Sequence, residues 1–461
     1  MRRALVISYH LQPDPAVGGL RPASFVKTLC RAGWEVVVIA HRVPGMADFW
    51  KKECGSNVIV CEIPETPRIS DGLVSLAKAA RTTLWRRKPR VGDKGANPAS
   101  VATPSADAAP PDLSSETMLE RLERWFHASC SFVDRHKLWS TRVFFAGLKL
   151  RRSESFELIV SSGPPMTPHV AAVLLARVGR SDLVLDLRDP WLNLSRRDWA
   201  TRARFLDRLN MQIFRYCVRR AAAIVTASPG IARFVTQSNC DIRGPVKVIL
   251  NGFEDTSNAL SGHVQGKLHL LYAGTLYWTR NPFPLLETVD RLLESGEMDE
   301  HRVAITFAGD CRSWNGTDIP EWARGRRVDA VLRISDAIPH EQMPSLIASA
   351  NVVVNFAYGQ PAQIPAKTFE YVGAGKEMLA LTEADSDTAR VVREAAAGTC
   401  VDPTNAKDMS KVLSDLYRRY VTERGTYVPD AEKRTKFSRA SQNAVLLDLL
   451  DSLAASRGQR T

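Results

Sequence analysis

The order of its apolar runs constrains this chain most. Short stretches rich in Val, Ile and Leu alternate with segments of helical spacing, in two series separated by a polar break. The first series opens at Ala4 to Tyr9, and a Gly-rich loop, Pro13 to Leu20, follows. Arg21 to Ala32 then sets Phe25, Val26 and Leu29 at spacings of three and four. Gly33 closes that helix, and Trp34 to Ala40 is the next strand. Further strands are read at Asn57 to Glu62, Glu157 to Ser162, Leu183 to Leu187, Ala222 to Ala227 and Val246 to Leu250. Runs apolar on both parities suit parallel strands covered on both faces. Their alternation with helices predicts a doubly wound α/β domain.

The polar stretch Glu254 to Lys267, with Gly262 and Gly266, reads as an interdomain linker. A second series follows: Leu268 to Ala273, Val303 to Ala308, Val328 to Ile334, Asn351 to Phe356, Glu377 to Leu381 and Thr399 to Val401. A helix near Ser438 to Leu453 closes the chain, apolar at Val445, Leu446, Leu449, Leu450 and Leu453. With 461 residues there is length for two separate cores. One segment breaks the pattern. Gly92 to Thr117 scatters four prolines among Ala, Ser and Asp, too little apolar mass to offset its ordering entropy. It reads as a disordered insertion, about 92–117, in the first domain. Met118 to Leu150 after it reads as helical.

Composition narrows the class. Apolar residues are 44% and charged residues 24%, as in ordinary globular proteins, which excludes a collagen-like or wholly disordered chain. No apolar run approaches the roughly 18 to 20 residues of a spanning helix. The apolar stretch Ala4 to Ile7 is too short for a signal-peptide core. The eight cysteines form no C-x-x-C and no Cys/His cluster at zinc spacing, so reduced cytoplasmic thiols are expected. Lys plus Arg exceeds Asp plus Glu by 12, which points to anionic partners without choosing among nucleic acid, lipid and phosphorylated small molecules.

Five constellations lie at predicted strand ends, where open α/β sheets bind ligands. Gly18-Gly19-Leu20-Arg21 follows the first strand; two glycines allow close backbone approach, and the next helix N-terminus suits an anion. It lacks the dinucleotide fingerprint G-x-G-x-x-G, and a tight turn is the plain alternative. Ser161 to His169 and Asp186-Leu187-Arg188-Asp189-Pro190-Trp191 follow two more strands. A lone His such as His169 is more often structural than catalytic, and the Asp-x-Arg-Asp cluster can equally be a buried ion-pair network. In the second series, Gly274-Thr275 ends a strand and Arg280 precedes a helix, a pairing suited to phosphate. Lys367 and Glu370, three apart, share one helix face, as a solvated pair or as part of a site.

These blocks, with Asn251-Gly252-Phe253 and Pro365 to Tyr371 followed by Gly375-Lys376, resemble the GT-B fold glycosyltransferases, specifically the family-four-like retaining, nucleotide-sugar-dependent group. The resemblance covers nearly all the chain except about residues 63–118. It implies two tandem Rossmann-like domains, 1–253 and 267–436, facing across a central cleft, with 437–461 crossing back onto the first. It implies that Glu370 holds the ribose hydroxyls, that Arg280 and Lys367 face the diphosphate near Gly274 and Thr275, and that Gly18 and Gly19 close on it from the other domain. His169, Asp186, Arg188 and Asp189 would line the acceptor side as catalytic candidates. No metal and no cofactor beyond the nucleotide sugar are implied. The acceptor would be a glycan or a lipid-linked sugar in cell-surface polysaccharide or glycolipid synthesis. The chain departs from the pattern at Ala362, where relatives carry a Glu beside the donor sugar, and at Asn281-Pro282, where a Lys is usual. Asp186 to Asp189 also occupies the place of the usual fifth-strand His.

Three alternatives compete. Asp385-Ser386-Asp387 matches a metal-binding Asp-x-Asp as a string, but it precedes a helix, where Asp and Ser are ordinary caps. An epimerase or hydrolase would use the same cleft. A nucleic-acid binder would use the net charge and the basic run Arg81 to Lys94 around Trp85. That run and the arginines from Arg196 to Arg220, interleaved with Phe205, Leu206, Leu209, Ile213 and Phe214, suit an anionic membrane surface at least as well. The expectation is a cytoplasmic protein, peripheral on the inner face of the membrane, with no nucleic-acid partner.

Overall fold

The computed structural model describes residues 2–66, 132–191, 204–238, 240–254, 266–277, 279–336, 338–339 and 342–458. The expected insertion 92–117, the basic run Arg81 to Lys94 and most of the linker lie outside these residues.

Every apolar run becomes a strand. The first sheet contains β1 (Arg3–Ser8), β2 (Glu35–His41), β3 (Val58–Ile63), β4 (Leu158–Gly163), β5 (Asp182–Leu187), β6 (Ala223–Thr226) and β7 (Val246–Val248). All pair parallel, in the order β3-β2-β1-β4-β5-β6-β7. The second sheet is built from β8 (Leu268–Ala273) and β9 (Val303–Ala308), then, after the hairpin strands β10 (Ser313–Trp314) and β11 (Thr317–Asp318), from β12 (Leu332–Ser335), β13 (Val352–Phe356), β14 (Glu377–Leu381) and β15 (Gly398–Val401). Its order is β12-β9-β8-β13-β14-β15, again parallel.

Both sheets reverse winding direction beside their first strand, between β1 and β4 and between β8 and β13. Such switch points leave a crevice at the carboxyl ends of the two strands, because the crossovers leave to opposite sides. Both faces of β1 are covered. Leu5 and Ile7 pack with Trp139 and Val173, while Ala4 and Val6 pack with Phe25, Leu29 and the closing helix.

That closing helix, Arg439–Gly458, buries Leu446, Leu449 and Leu450 in the first domain's core, and Asn443 donates to Ser24 Oγ. The crossing back expected from the sequence is thus present. The chain runs between the domains on two adjacent segments that hydrogen-bond each other: Phe253 N to Phe437 O at 3.1 Å and Arg439 N to Phe253 O at 2.7 Å. Gly252 (φ +64°) is required here, since a Cβ would lie 3.0 Å from the Arg439 backbone.

Two expectations need correction. The strand read from Val328 starts at Leu332, because Arg327–Ala330 forms a helical turn fixed by Asp290, whose carboxylate accepts from Val328 N at 2.9 Å. Within 132–150 the helix occupies only Lys137–Leu150; Asp134 precedes it and its carboxylate accepts from His136 N instead. The hairpin turning at Asn315-Gly316, both at positive φ, is an addition the sequence reading passed over.

Candidate active site between the two sheets

At the switch point of the first sheet, the loop after β1 meets the loops after β4 and β5. Arg21, on the helix Leu20–Arg31, is buried and forks onto Asp186 at the end of β5: Nη2 to Oδ1 at 2.8 Å and Nε to Oδ1 at 3.0 Å. Its Nη1 donates to Ile249 O at 2.6 Å, and Ser162 Oγ donates to Asp186 Oδ2 at 2.7 Å. Asp186 therefore has both oxygens taken and no exposed surface. It holds the cleft wall from behind rather than lining it, the ion-pair alternative of the sequence reading. A buried pair of this kind needs such added bonds to offset desolvation.

Arg188 braces the same corner. Its two Nη atoms donate to the carbonyls of Gly18 and Pro164, tying the β1 loop to the β4 loop. A Cβ on Gly19 would sit 3.1 Å from the Leu11 backbone, so a side chain there would crowd the loop, whereas one on Gly18 would meet only the end of the Arg188 side chain, at 2.9 Å. Gly19 begins the helix Leu20–Arg31 with no side chain capping it, but the turn before it already takes the Gly19 and Leu20 N–H groups, onto Ala16 O and Val17 O. The next helix, Thr167–Gly179, is different: the Asp134 carboxylate already accepts from Met166 N at 2.7 Å and Thr167 N at 2.6 Å.

His169, on that second helix, is fully buried. Nδ1 lies 2.8 Å from Ser161 Oγ, the ring stacks on Trp191 at 5.8 Å, and Nε2 has no hydrogen-bond partner. Burial lowers its pKa to about 4, so the ring is neutral at pH 7. Like Asp186 it stands behind the wall. Asp189 reaches the other domain instead, accepting from Gln363 Nε2 at 2.8 Å.

The second sheet's switch point carries the other candidates. Arg280 follows β8, and its Nη1 donates to Tyr272 Oη at 3.0 Å and to the Thr275 carbonyl at 3.1 Å. The guanidinium lies 4.1 Å from the centre of the Tyr277 ring, and Nε is buried without a partner. Gly309 after β9 allows the Gly274 turn, since a Cβ there would fall 2.3 Å from Gly274 O. Lys367 and Glu370 lie on the helix Ala366–Ala374 after β13, whose first residue also lacks a side-chain cap. They pair at 2.6 Å, with side chains 23% and 34% exposed, so the pair is reachable from solvent. Burial raises the pKa of Tyr371, whose hydroxyl accepts from Ala273 N at 3.2 Å at the end of β8. Beside β9 and β12 a cavity of about 560 Å³ is lined by Asp310, Arg312, Asp329 and Arg333 among others.

The two sheets meet at one lip. Besides Gln363–Asp189, Ser228 Oγ donates to Ala362 O at 2.6 Å and Gly230 N donates to Asp387 Oδ2 at 2.5 Å. All these residues follow strands, so the carboxyl ends of the sheets confront each other. A Cβ on Gly230 would lie 2.5 Å from Ala362 Cβ, so the backbones touch where the sequence carries Ala in place of Glu. Asp387 is engaged by the first domain and Ser386 caps its helix, accepting from Ala389 N at 3.0 Å. The Asp385-Ser386-Asp387 string thus has structural partners.

No family model and no curated protein matches the sequence. Solved structures do match along nearly the whole length. The alpha,alpha-trehalose 6-phosphate synthase of Burkholderia multivorans aligns with a TM-score of 0.58 at 11% identity, over 99% of this chain and all of that one. HepE of Anabaena, solved in complex with UDP-glucose, gives 0.55 at 11% identity, over 98% and 100%. The lipopolysaccharide outer core galactosyltransferase WaaB gives 0.57 at 11% identity, over 98% and 99%. The chain has the GT-B fold. Gly18, Gly19, Arg188 and Asp189 follow strands of the first sheet and Gly274, Thr275, Arg280, Lys367 and Glu370 follow strands of the second, while His169 and Asp186 are buried in the first domain. Sequence reasoning missed Tyr272, Tyr277 and Gln363, which position Arg280 and Asp189. Only the aromatics flanking Gly274 gave a signal.

Proposed function

We propose that the chain transfers a sugar from a nucleoside-diphosphate sugar to a glycan or lipid-linked acceptor, with retention, in cell-surface polysaccharide or glycolipid synthesis. The observation that carries this is Arg280, clamped by Tyr272, Thr275 and Tyr277 at a strand end, with its Nε unpartnered. Breaking the anomeric C–O bond leaves negative charge on the diphosphate. A fixed guanidinium, the Lys367 ammonium and the uncapped N-terminus of the helix Ala366–Ala374 stabilise that charge without reorganisation and without a metal on the leaving group. Glu370 exchanges Lys367 for the ribose hydroxyls, and the lysine turns to phosphate. Two structures of the same fold are bound to UDP-glucose and UDP-2-fluoro glucose, which supports a donor of that class.

A thermal-shift panel of UDP-, GDP- and other nucleotide sugars, followed by product analysis with and without acceptor, tests the reading. Transfer that requires acceptor supports it; turnover unchanged by acceptor assigns an epimerase or hydrolase.

The same reading places the first domain against the inner face of the cytoplasmic membrane. Three neighbouring helices, Lys137–Leu150, Thr167–Gly179 and Arg204–Val218, expose Leu138, Phe145, Leu174, Val178, Phe205 and Leu209. Among the described residues no helix is long and apolar enough to cross a membrane. Arg208 lies beside Phe205 and Leu209 on the same helix, while Arg196 to Arg202 lie outside the described residues. Liposome co-sedimentation that rises with anionic lipid is expected, and binding indifferent to lipid charge would contradict it.

A further inference from the structure

Three ligand-type side chains converge on the loop after β1, a few residues ahead of Gly18 and Gly19. Asp14 and His10 lie on that loop, and His41 ends the adjacent β2. Asp14 Oδ1 accepts from Ala16 N at 2.9 Å, which fixes the carboxylate and turns Oδ2 toward both imidazoles. Oδ2 lies 2.6 Å from His10 Nδ1 and 3.6 Å from His41 Nδ1. The second distance is too long for a hydrogen bond, and His41 Nδ1 has no other partner. The Tyr9 ring holds both histidines in place, stacked on His41 at 4.9 Å and edge-on to His10 at 4.9 Å. Asp14 is only 8% exposed, whereas His10 keeps 35%, so the cluster is closed behind and open in front.

We propose that His10, Asp14 and His41 form a divalent transition-metal site of zinc type. The three ligand atoms lie within 4.8 Å of one another. Tetrahedral zinc with nitrogen and carboxylate ligands at about 2.0–2.2 Å sets ligand atoms about 3.3 Å apart, within shifts of about 1.5 Å of the present arrangement. Two imidazoles and one carboxylate leave a fourth position, open on the His10 side for water or another oxygen ligand. The donor set of neutral imidazole with carboxylate suits zinc and its neighbours rather than magnesium or calcium. The metal would tie the β1 loop, which also carries Gly18 and Gly19, to the neighbouring strand. This departs from the expectation that the chain holds no metal, and it stands independently of the proposed transfer.

The test uses the full chain without an affinity tag, stripped with chelator and titrated with Zn²⁺ by calorimetry, then with Co²⁺ by visible absorption. One equivalent of Zn²⁺, a rise in melting temperature on binding and a tetrahedral Co²⁺ spectrum are expected. His41→Gln, His10→Gln and Asp14→Asn should each weaken binding at least about tenfold, while His301→Gln in the second domain leaves it unchanged. Each variant's melting curve without metal reports whether it folds. Absence of Zn²⁺ binding by the unmodified chain overturns the proposal, as does undiminished binding by a folded His10→Gln/His41→Gln double variant.

Discussion

The two sides of the cleft use the same residue types for different ends. In the first domain Arg21 and Asp186 bind each other, Arg188 binds two loop carbonyls, and Asp134 fills the N-terminus of Thr167–Gly179. Those charges are spent on holding loops. In the second domain Arg280 is held by Tyr272 and Thr275, its Nε buried without a partner as that of Arg188 is, and Lys367 pairs with a neighbouring, partly exposed glutamate. Burial separates the two cases. An ion pair without water is a strut, because separating it strands a charge in low dielectric; one at the surface is easily exchanged for a ligand.

Removing one member of the buried pair should have the largest effect. Arg21→Ala or Asp186→Ala is expected to cost about 3–5 kcal/mol in urea unfolding, with the double variant losing less than the sum. Additive losses would mean the pair is not a strut. Arg280→Ala should lower transfer about 10²–10³-fold with little change in the urea midpoint. A collapse of stability there would erase the contrast between the domains. His169 supplies a pH test on the first side. Its folded pKa of about 4 lies below the ordinary 6.5, so the unfolded chain takes up the proton first as pH falls. Stability should decline between those two values, by at most about 3 kcal/mol from this group, and His169→Gln should flatten the decline. The smallest effect is on the exposed pair: Lys367→Met should change stability by less than about 1 kcal/mol while weakening binding of the nucleoside diphosphate in calorimetry.

Much of this was legible in sequence because parallel strands buried on both faces leave uninterrupted apolar runs. Val303–Ala308 and Glu377–Leu381 have the bounds read from those runs. The motifs cluster because each lies at the carboxyl end of a strand in a parallel sheet, a property of order alone. Which charges would be buried was not legible. Asp186 and Asp189 look alike in sequence, yet one is sealed behind Arg21 and the other reaches Gln363. Contacts such as Ser228–Ala362 and Gly230–Asp387 join residues far apart in the chain and leave no period to read. His41 likewise meets His10 and Asp14 only through strand pairing, whereas Asn315-Gly316 was a local turn signal open to reading.

The paired crossing at Phe253 and Phe437–Arg439 has a mechanical consequence. Two linkers bonded side by side behave like a door hinge rather than a tether. They permit swing about one short axis and resist separation and sideways slip. Opening the cleft to exchange ligands then has one soft coordinate. The lip contacts, Gln363–Asp189 among them, lie off that axis and would serve as its latch.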